Sequence, residues 1–280
     1  MFAAVPDWFA VVAFALFGLL CGSFANVVIW RVPRGESIVS PGSHCPGCEA
    51  PIAWYDNIPL VSWVALRGRC RTCGVPIAVR YPLVEAASGA LFVVAAIAWG
   101  VSAQAVVGAL FFWFLLILSA IDLDCMRLPN QLVAILAGIG FAGAVASQVT
   151  GILLVPLVPL PESGALASPL AFGATGVLLG VGLSGGIAML YGSLRGKQGL
   201  GMGDIKLLAA MGFFLGPYTL MSLFLGSLLG IVAGIVLARG RSLSETRIPF
   251  GPWLAAGGVL TALTGPAILA WYLGLVGIAL

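Results

Sequence analysis

Charge is what this sequence has least of. Of 280 residues, 8% are Asp, Glu, Lys or Arg, against about 25% in a soluble domain. That shortage excludes a water-soluble globule and places the chain among polytopic membrane proteins. Histidine is nearly missing as well, His44 being the only one. Thiols and carboxylates are therefore the side chains left to carry chemistry. Met1–Asp7 contains no Lys or Arg. With an apolar run from Trp8 to Trp30 too long for a signal-peptide core, this argues for a retained span over a cleaved secretory signal. The run reads as a retained first span with its N-terminus outside. The chain shows no low-complexity tail and no internal repeat.

What is present is apolar and glycine-rich, with 38 glycines, as suits helices packed backbone to backbone in lipid. Apolar runs lie at 8–30, 83–99, 104–121, 131–148, 168–193, 205–216, 218–238 and 252–278. The expectation is an all-α membrane protein of about eight transmembrane helices, with a small cytoplasmic four-cysteine metal-binding domain. Residues 1–30 are the first helix, 31–82 the metal domain, and 83–280 a membrane domain of about seven helices.

Sidedness follows from where the basic residues stand. With the N-terminus outside, the inside segments are 31–82, 122–130, 194–206 and 239–251. All 13 Lys and Arg fall within them, among them Lys197, Arg239, Arg241 and Arg247. The outside segments hold none. The shortest run, 205–216, reaches about 18 Å as a helix, short of a ~30 Å hydrocarbon core. Gly216-Pro217 is a breaker and favours two short spans over one long helix. Gly265-Pro266 is a second such pair. The segment 149–166 holds Pro156, Pro159 and Pro161 and reads as an outer loop lying on the membrane surface.

The inside segment 31–82 carries Cys45-Pro-Gly-Cys48 and, 21 residues on, Cys70-Arg-Thr-Cys73. Two such knuckles suit one tetrahedral thiolate site. Disulfides are the alternative, but cytoplasmic thiols stay reduced. Zinc is the expected ion, and iron would suit four thiolates too. Four cysteines close the coordination sphere, so the metal is read as a structural staple. His44 abuts the first ligand and reads as a surface residue. Cys21 and Cys125 read as packing thiols.

Two aspartates stand at inner span ends. Asp122 closes the third span and Asp204 opens the sixth, so both reach the same membrane depth. A carboxylate beside lipid is a functional candidate by default. Two together share one proton, and one then serves as base toward water while the other serves as acid toward a leaving amine. Gly199, Gly201 and Gly203 precede Asp204 and let an extended peptide backbone approach, with Lys206 two residues beyond. The bland alternatives are a helix-start carboxylate favoured by the dipole and a solvated span-end acid. Asp124 reads as a loop acid pairing with Arg127.

Together these stretches resemble the type IV prepilin peptidases, membrane aspartic peptidases of pilus and type II secretion systems. The resemblance runs through Gly22-Ser-Phe-Ala-Asn-Val-Val-Ile-Trp-Arg31, both knuckles, Asp56-Asn-Ile-Pro-Leu60 with Ser62-Trp63, and Arg80-Tyr-Pro-Leu-Val-Glu85. It continues through Ile121-Asp122 with Leu128-Pro-Asn130, Gly-Met-Gly-Asp204-Ile-Lys206, and Pro249-Phe-Gly-Pro252. It implies Asp122 and Asp204 as the catalytic pair, with Asp122 favoured over Asp124. It departs at Asn130, where many members have Asp, at Met202, where some have Tyr, and in the long 149–166 segment.

The resemblance implies a prepilin or pseudopilin substrate with a basic leader and an apolar helix. The leader is cut at the cytoplasmic face of the inner membrane. In many members the new N-terminus is then methylated from S-adenosylmethionine, an activity associated with the metal domain. Arg67, Gly68 and Arg69 fall in the matching region and equally fit positive-inside charge. Glu36, Glu49 and Glu85, or anionic headgroups, are the expected contacts of a basic leader. Membrane lipid is a partner and nucleic acid is not. Three other readings remain: a proton-coupled transporter, a non-catalytic membrane anchor for a zinc domain, and a methyltransferase without proteolysis. The transporter reading would put paired acids near the midplane between internal repeats.

Overall fold

The computed structural model describes residues 7–196, 200–238 and 249–277. Gly199, Lys197, Arg239, Arg241 and Arg247, used above for the approach loop and for sidedness, lie outside them. The described residues form nine α-helices and no β-strand. In chain order they are α1 (Asp7–Arg31), α2 (Val61–Ala65), α3 (Arg80–Trp99), α4 (Ala103–Cys125), α5 (Asn130–Thr150), α6 (Pro169–Arg195), α7 (Met202–Leu215), α8 (Thr219–Ala238) and α9 (Gly251–Val276). Contacts divide the chain into two compact units, one up to Ile121 and one from Asp122.

In the first unit, α1 and α3 pack along a line of small residues. A Cβ on Gly18 would stand 2.7 Å from the Phe92 Cβ, and one on Gly22 2.7 Å from the Glu85 Cα. In lipid, apolar surface gains nothing by leaving its solvent, so close van der Waals fit and interhelical hydrogen bonds hold such pairs. The Ser88 hydroxyl supplies one, donating to the Gly18 carbonyl at 2.6 Å. The Asn26 amide supplies another, to Tyr81 O at 3.1 Å.

In the second unit, α6 and α7 meet through Gly176 and Gly212, and a Cβ on Gly176 would lie 2.4 Å from the Gly212 carbonyl oxygen. By length and apolarity alone seven helical stretches qualify to cross a membrane, Met202–Val236 counting as one. That stretch nevertheless reverses: along α6, Gly173 and then Gly180 lie against Phe213 and then Leu208 of α7, whereas Gly176 and then Gly180 lie against Gly216 and then Thr219 at the start of α8. Gly265 of α9 lies against Tyr218 and Met221, whereas Gly226 of α8 lies against Trp253 and Leu254 near the start of α9. α8 therefore runs back along α9. The reversal sits at Gly216, whose φ of +53° and contact with the Phe172 ring leave no room for a side chain. α7, at 14 residues, is short, but Leu207, Leu208, Met211, Phe214 and Leu215 are all fully buried. Protein surrounds it, so it need not match a bilayer.

The segment 149–166 departs from expectation. Instead of lying on the surface, its Val155, Leu157 and Val158 are buried. Three β-branched or leucine side chains around Pro156 are too apolar to leave exposed. Their backbone is satisfied by partners waiting in the core. Leu157 N–H donates to Phe214 O at 2.7 Å, and Ser147 Oγ accepts from Leu154 N–H at 2.9 Å.

Candidate functional site

The four knuckle cysteines form a single cluster, their Sγ atoms all within 4.8 Å of one another. Zinc–thiolate bonds of about 2.3 Å in a tetrahedron put sulfurs about 3.8 Å apart. Cys45 and Cys73, one from each knuckle, stand 3.8 Å apart. The donor set fits a tetrahedral thiophilic ion.

The two knuckles are copies, which corrects the reading that the chain lacks a repeat. Ser43–Ile52 and Gly68–Ile77 share the pattern Cys-x-x-Cys-x-x-Pro-Ile and make the same backbone bonds. Cys45 N–H donates to Ala50 O and Cys70 N–H to Val75 O; Ile52 N–H donates to Ser43 O and Ile77 N–H to Gly68 O. Each copy closes with one antiparallel bridge, His44 to Pro51 and Arg69 to Pro76. Glu49 and Gly74 hold the same place and both adopt positive φ, +56° and +72°. Backbone N–H groups of Cys73 and Thr72 bond the Cys70 sulfur and draw its thiol down to about 6.

The remainder of the 31–82 segment is tied down by hydrogen bonds. Arg71 grips Asp56 with two bonds, 2.8 and 2.7 Å, and holds that carboxyl below its usual range. Arg31 donates to Ser37 O and Gly42 O. Glu85 is buried, not solvated or open to a leader. Its carboxylate accepts from Leu60 N–H at 2.8 Å and from Ser23.

The carboxylates Asp122 and Asp204 both belong to the second unit. Asp122 is 6% exposed. Asp124, two residues on and so about 200° round the helix, is exposed. The Asp122 carboxylate accepts the Gly251 backbone N–H at 2.9 Å. A Cβ on Gly251 would sit 2.7 Å from Asp122 Oδ2 and 3.1 Å from its Cγ, so only glycine presents that N–H unobstructed. Asp204 lies in the first turn of α7. Gly203, beside it, lies against Leu128, six residues past Asp122.

The start of α7 is seated against the turn after α4. A Cβ on Gly203 would press on Leu128 at 3.2 Å, and the Lys206 ammonium donates to Asn130 Oδ1 at 2.9 Å. Gly201 caps the helix with its carbonyl, which accepts from Asp204 N–H at 3.1 Å. Thus Gly201, Gly203 and Lys206 fix the position of Asp204 relative to the Asp122 turn.

Sequence reasoning gave Gly251 no role. The signal was there in Pro249-Phe-Gly-Pro252, a glycine between two prolines at the start of a helix. Beside it opens an apolar groove of about 470 Å³. Ile231, Ile235, Phe250 and Trp253 line it. The buried Trp253 indole N–H has no partner among the described residues.

Comparison with known proteins gives two family matches. Residues 16–99 match the bacterial peptidase A24 N-terminal domain, and residues 109–236 match the type IV leader peptidase family. The chain is 36% identical over 263 residues to a type 4 prepilin-like proteins leader peptide-processing enzyme of Escherichia coli O78:H11, covering 87% of this chain and 90% of that protein. It is 37% identical over 284 residues to a prepilin leader peptidase/N-methyltransferase of Aeromonas hydrophila, covering 92% of each. With the protein of the same name from Stutzerimonas stutzeri, identity is 36% over 296 residues, covering 97% and 96%. No solved structure matches.

Proposed function

Given that the chain belongs to the type IV leader peptidase family, we propose that it removes the basic leader of type IV prepilins or pseudopilins with Asp122 and Asp204 as an aspartyl pair. The observation that carries this reading is that the start of α7, which bears Asp204, is seated on the Leu128–Asn130 turn just after Asp122, whose carboxylate holds the Gly251 N–H. Two carboxylates sharing one site hold one proton between them and titrate as a pair. One takes a proton from the attacking water. The other gives its proton to the leaving amine. The Gly251 N–H fixes one Asp122 oxygen, and the other would serve the chemistry. Sidedness rests on the distribution of basic residues, which puts this pair at the cytoplasmic face of the inner membrane. The apolar groove at Ile231 and Trp253 is where the apolar helix of a substrate would rest.

The relatives' name adds N-methylation of the new N-terminus. S-adenosylmethionine would supply the methyl group. The described residues mark no cradle for it, and no step is assigned to it. Zinc is an ion that four thiolates at this spacing would hold, and it would fold the knuckles without joining the proteolysis.

The test is cleavage of a co-expressed prepilin in membranes. Asp122→Asn and Asp204→Asn are expected to abolish cleavage while inserting normally, and Asp124→Asn to cleave as the parent does. Normal cleavage by either of the first two would remove that residue from the pair.

A further inference from the structure

The metal domain carries a hydrophobic edge that none of the described elements covers. Trp54, Tyr55, Val61 and Val64 are between 51% and 79% exposed. They share a short stretch, a 3-10 turn at Trp54–Asn57 followed by α2. The stretch is well ordered from its other side. Ser62 Oγ donates to Tyr55 O and accepts from Ile58 N–H, both at 2.9 Å. The Trp63 indole donates to Ile77 O, and its ring lies against Gly68. So α2 buries Ser62 and turns Trp63 inward while presenting two valines outward. In water this would be an adhesive patch on a domain of modest size.

Its depth argues for a different solvent. Leu60, between the turn and α2, donates its N–H to Glu85 Oε2 at 2.8 Å. Glu85 is the sixth residue of α3, about 7.5 Å along the helix from Arg80. α3 has 20 residues, about 30 Å, the thickness of a hydrocarbon core with no turn to spare. The hydrogen bond therefore draws this stretch down to the level where headgroups meet acyl chains. Trp and Tyr are the aromatic residues of that level. The Arg71 guanidinium stands 5.6 Å from the Tyr55 ring centroid, and Arg67 and Arg69 follow α2, both exposed. Basic side chains beside a membrane surface favour anionic headgroups.

We infer that residues 54–65 form an interfacial anchor. Trp54, Tyr55, Val61 and Val64 insert among the headgroups and upper acyl chains of the leaflet beside the knuckles, and Arg67 and Arg69 pair with its anionic lipids. The metal site is thereby held against the membrane surface instead of swinging free in water. This does not depend on the peptidase reading.

The experiment uses the metal-loaded full chain in nanodiscs of phosphatidylethanolamine and phosphatidylglycerol, where both faces are open to solvent. Trp54 emission is the parent's minus that of Trp54→Phe, with metal retention checked in both. Bromine on the upper acyl carbons is expected to quench most of that emission, and aqueous iodide to leave it largely intact. The share lost with Trp63→Phe serves as the inward-facing reference. As a second probe, Val64→Asp should retain its metal and lose the bromine quenching of Trp54. Quenching of Trp54 by iodide and not by bromine would place the edge in water and overturn the inference. Shielding from both would mean a protein covers it, and would overturn it equally.

Discussion

The thiolate cluster and the carboxylate pair are built in opposite ways. Each half of the thiolate site is a ten-residue motif that organises itself. Its own backbone bonds aim two sulfurs, and a second copy 25 residues on supplies the other two. The carboxylate pair has no such local support. Asp122 ends one helix and Asp204 begins another, and a third helix supplies the Gly251 N–H. The first site depends on its ion and on local turns, while the second depends on three helices holding their register. Disturbance of either should leave the other standing.

The largest effect expected from this contrast follows removal of the metal. Structural zinc contributes about 10–16 kcal/mol of apparent binding free energy to small domains of this kind. A thiophilic chelator, or Cys45→Ser with Cys70→Ser, is expected to open residues 43–77 to protease. Far-ultraviolet circular dichroism should stay close to that of the parent, because the long helices do not use the ion. Prepilin cleavage should persist at a measurable rate. A collapse of helical signal along with the metal would mean that the two sites are not independent.

The second effect is local to the carboxylates. Gly251→Ala places a Cβ against the Asp122 carboxylate and turns it from its set position. A displacement of about 1 Å at a reacting group costs on the order of 100-fold in rate. Cleavage should fall by that order with metal content and knuckle protease resistance unchanged. Cleavage at the parent's rate would show that the Gly251 N–H does not position Asp122.

The same contrast explains what the sequence revealed and what it withheld. Cys45, Cys48, Cys70 and Cys73 were legible because spacing alone brings short-range ligands together. The helices were legible because apolar runs between basic links admit little else. Asp122 and Asp204 were legible as candidates by their place at span ends, yet the meeting of two helices is a long-range fact that only family resemblance pointed to. The Gly251 bond, the burial of Val155–Val158 and the Leu60–Glu85 bond were not legible. Each pairs a backbone N–H or an apolar side chain with a partner far along the chain. The knuckle repeat was in plain view, but ligand pairs draw the eye to the cysteines and away from the Pro-Ile that follows each.

That repeat yields the smallest expected effect. Glu49 N–H donates to Cys45 O at 2.8 Å and Gly74 N–H to Cys70 O at 2.9 Å, so the two residues do the same backbone work. A residue with a Cβ in the left-handed region costs roughly 1–2 kcal/mol relative to glycine, partly offset by about 0.4–1 kcal/mol of chain entropy that glycine gives the unfolded state. Glu49→Gly should therefore hold its metal up to about fifteenfold more tightly against a competing chelator, a gain of at most ~1.6 kcal/mol. Gly74→Ala, with open space around its Cβ position, should loosen the metal by a similar factor through backbone strain alone. If Glu49→Gly loosens it instead, the carboxylate itself supports the first knuckle. The concavity it shares with His44, Gly42 and Pro51 then distinguishes the two copies, and the backbone does not.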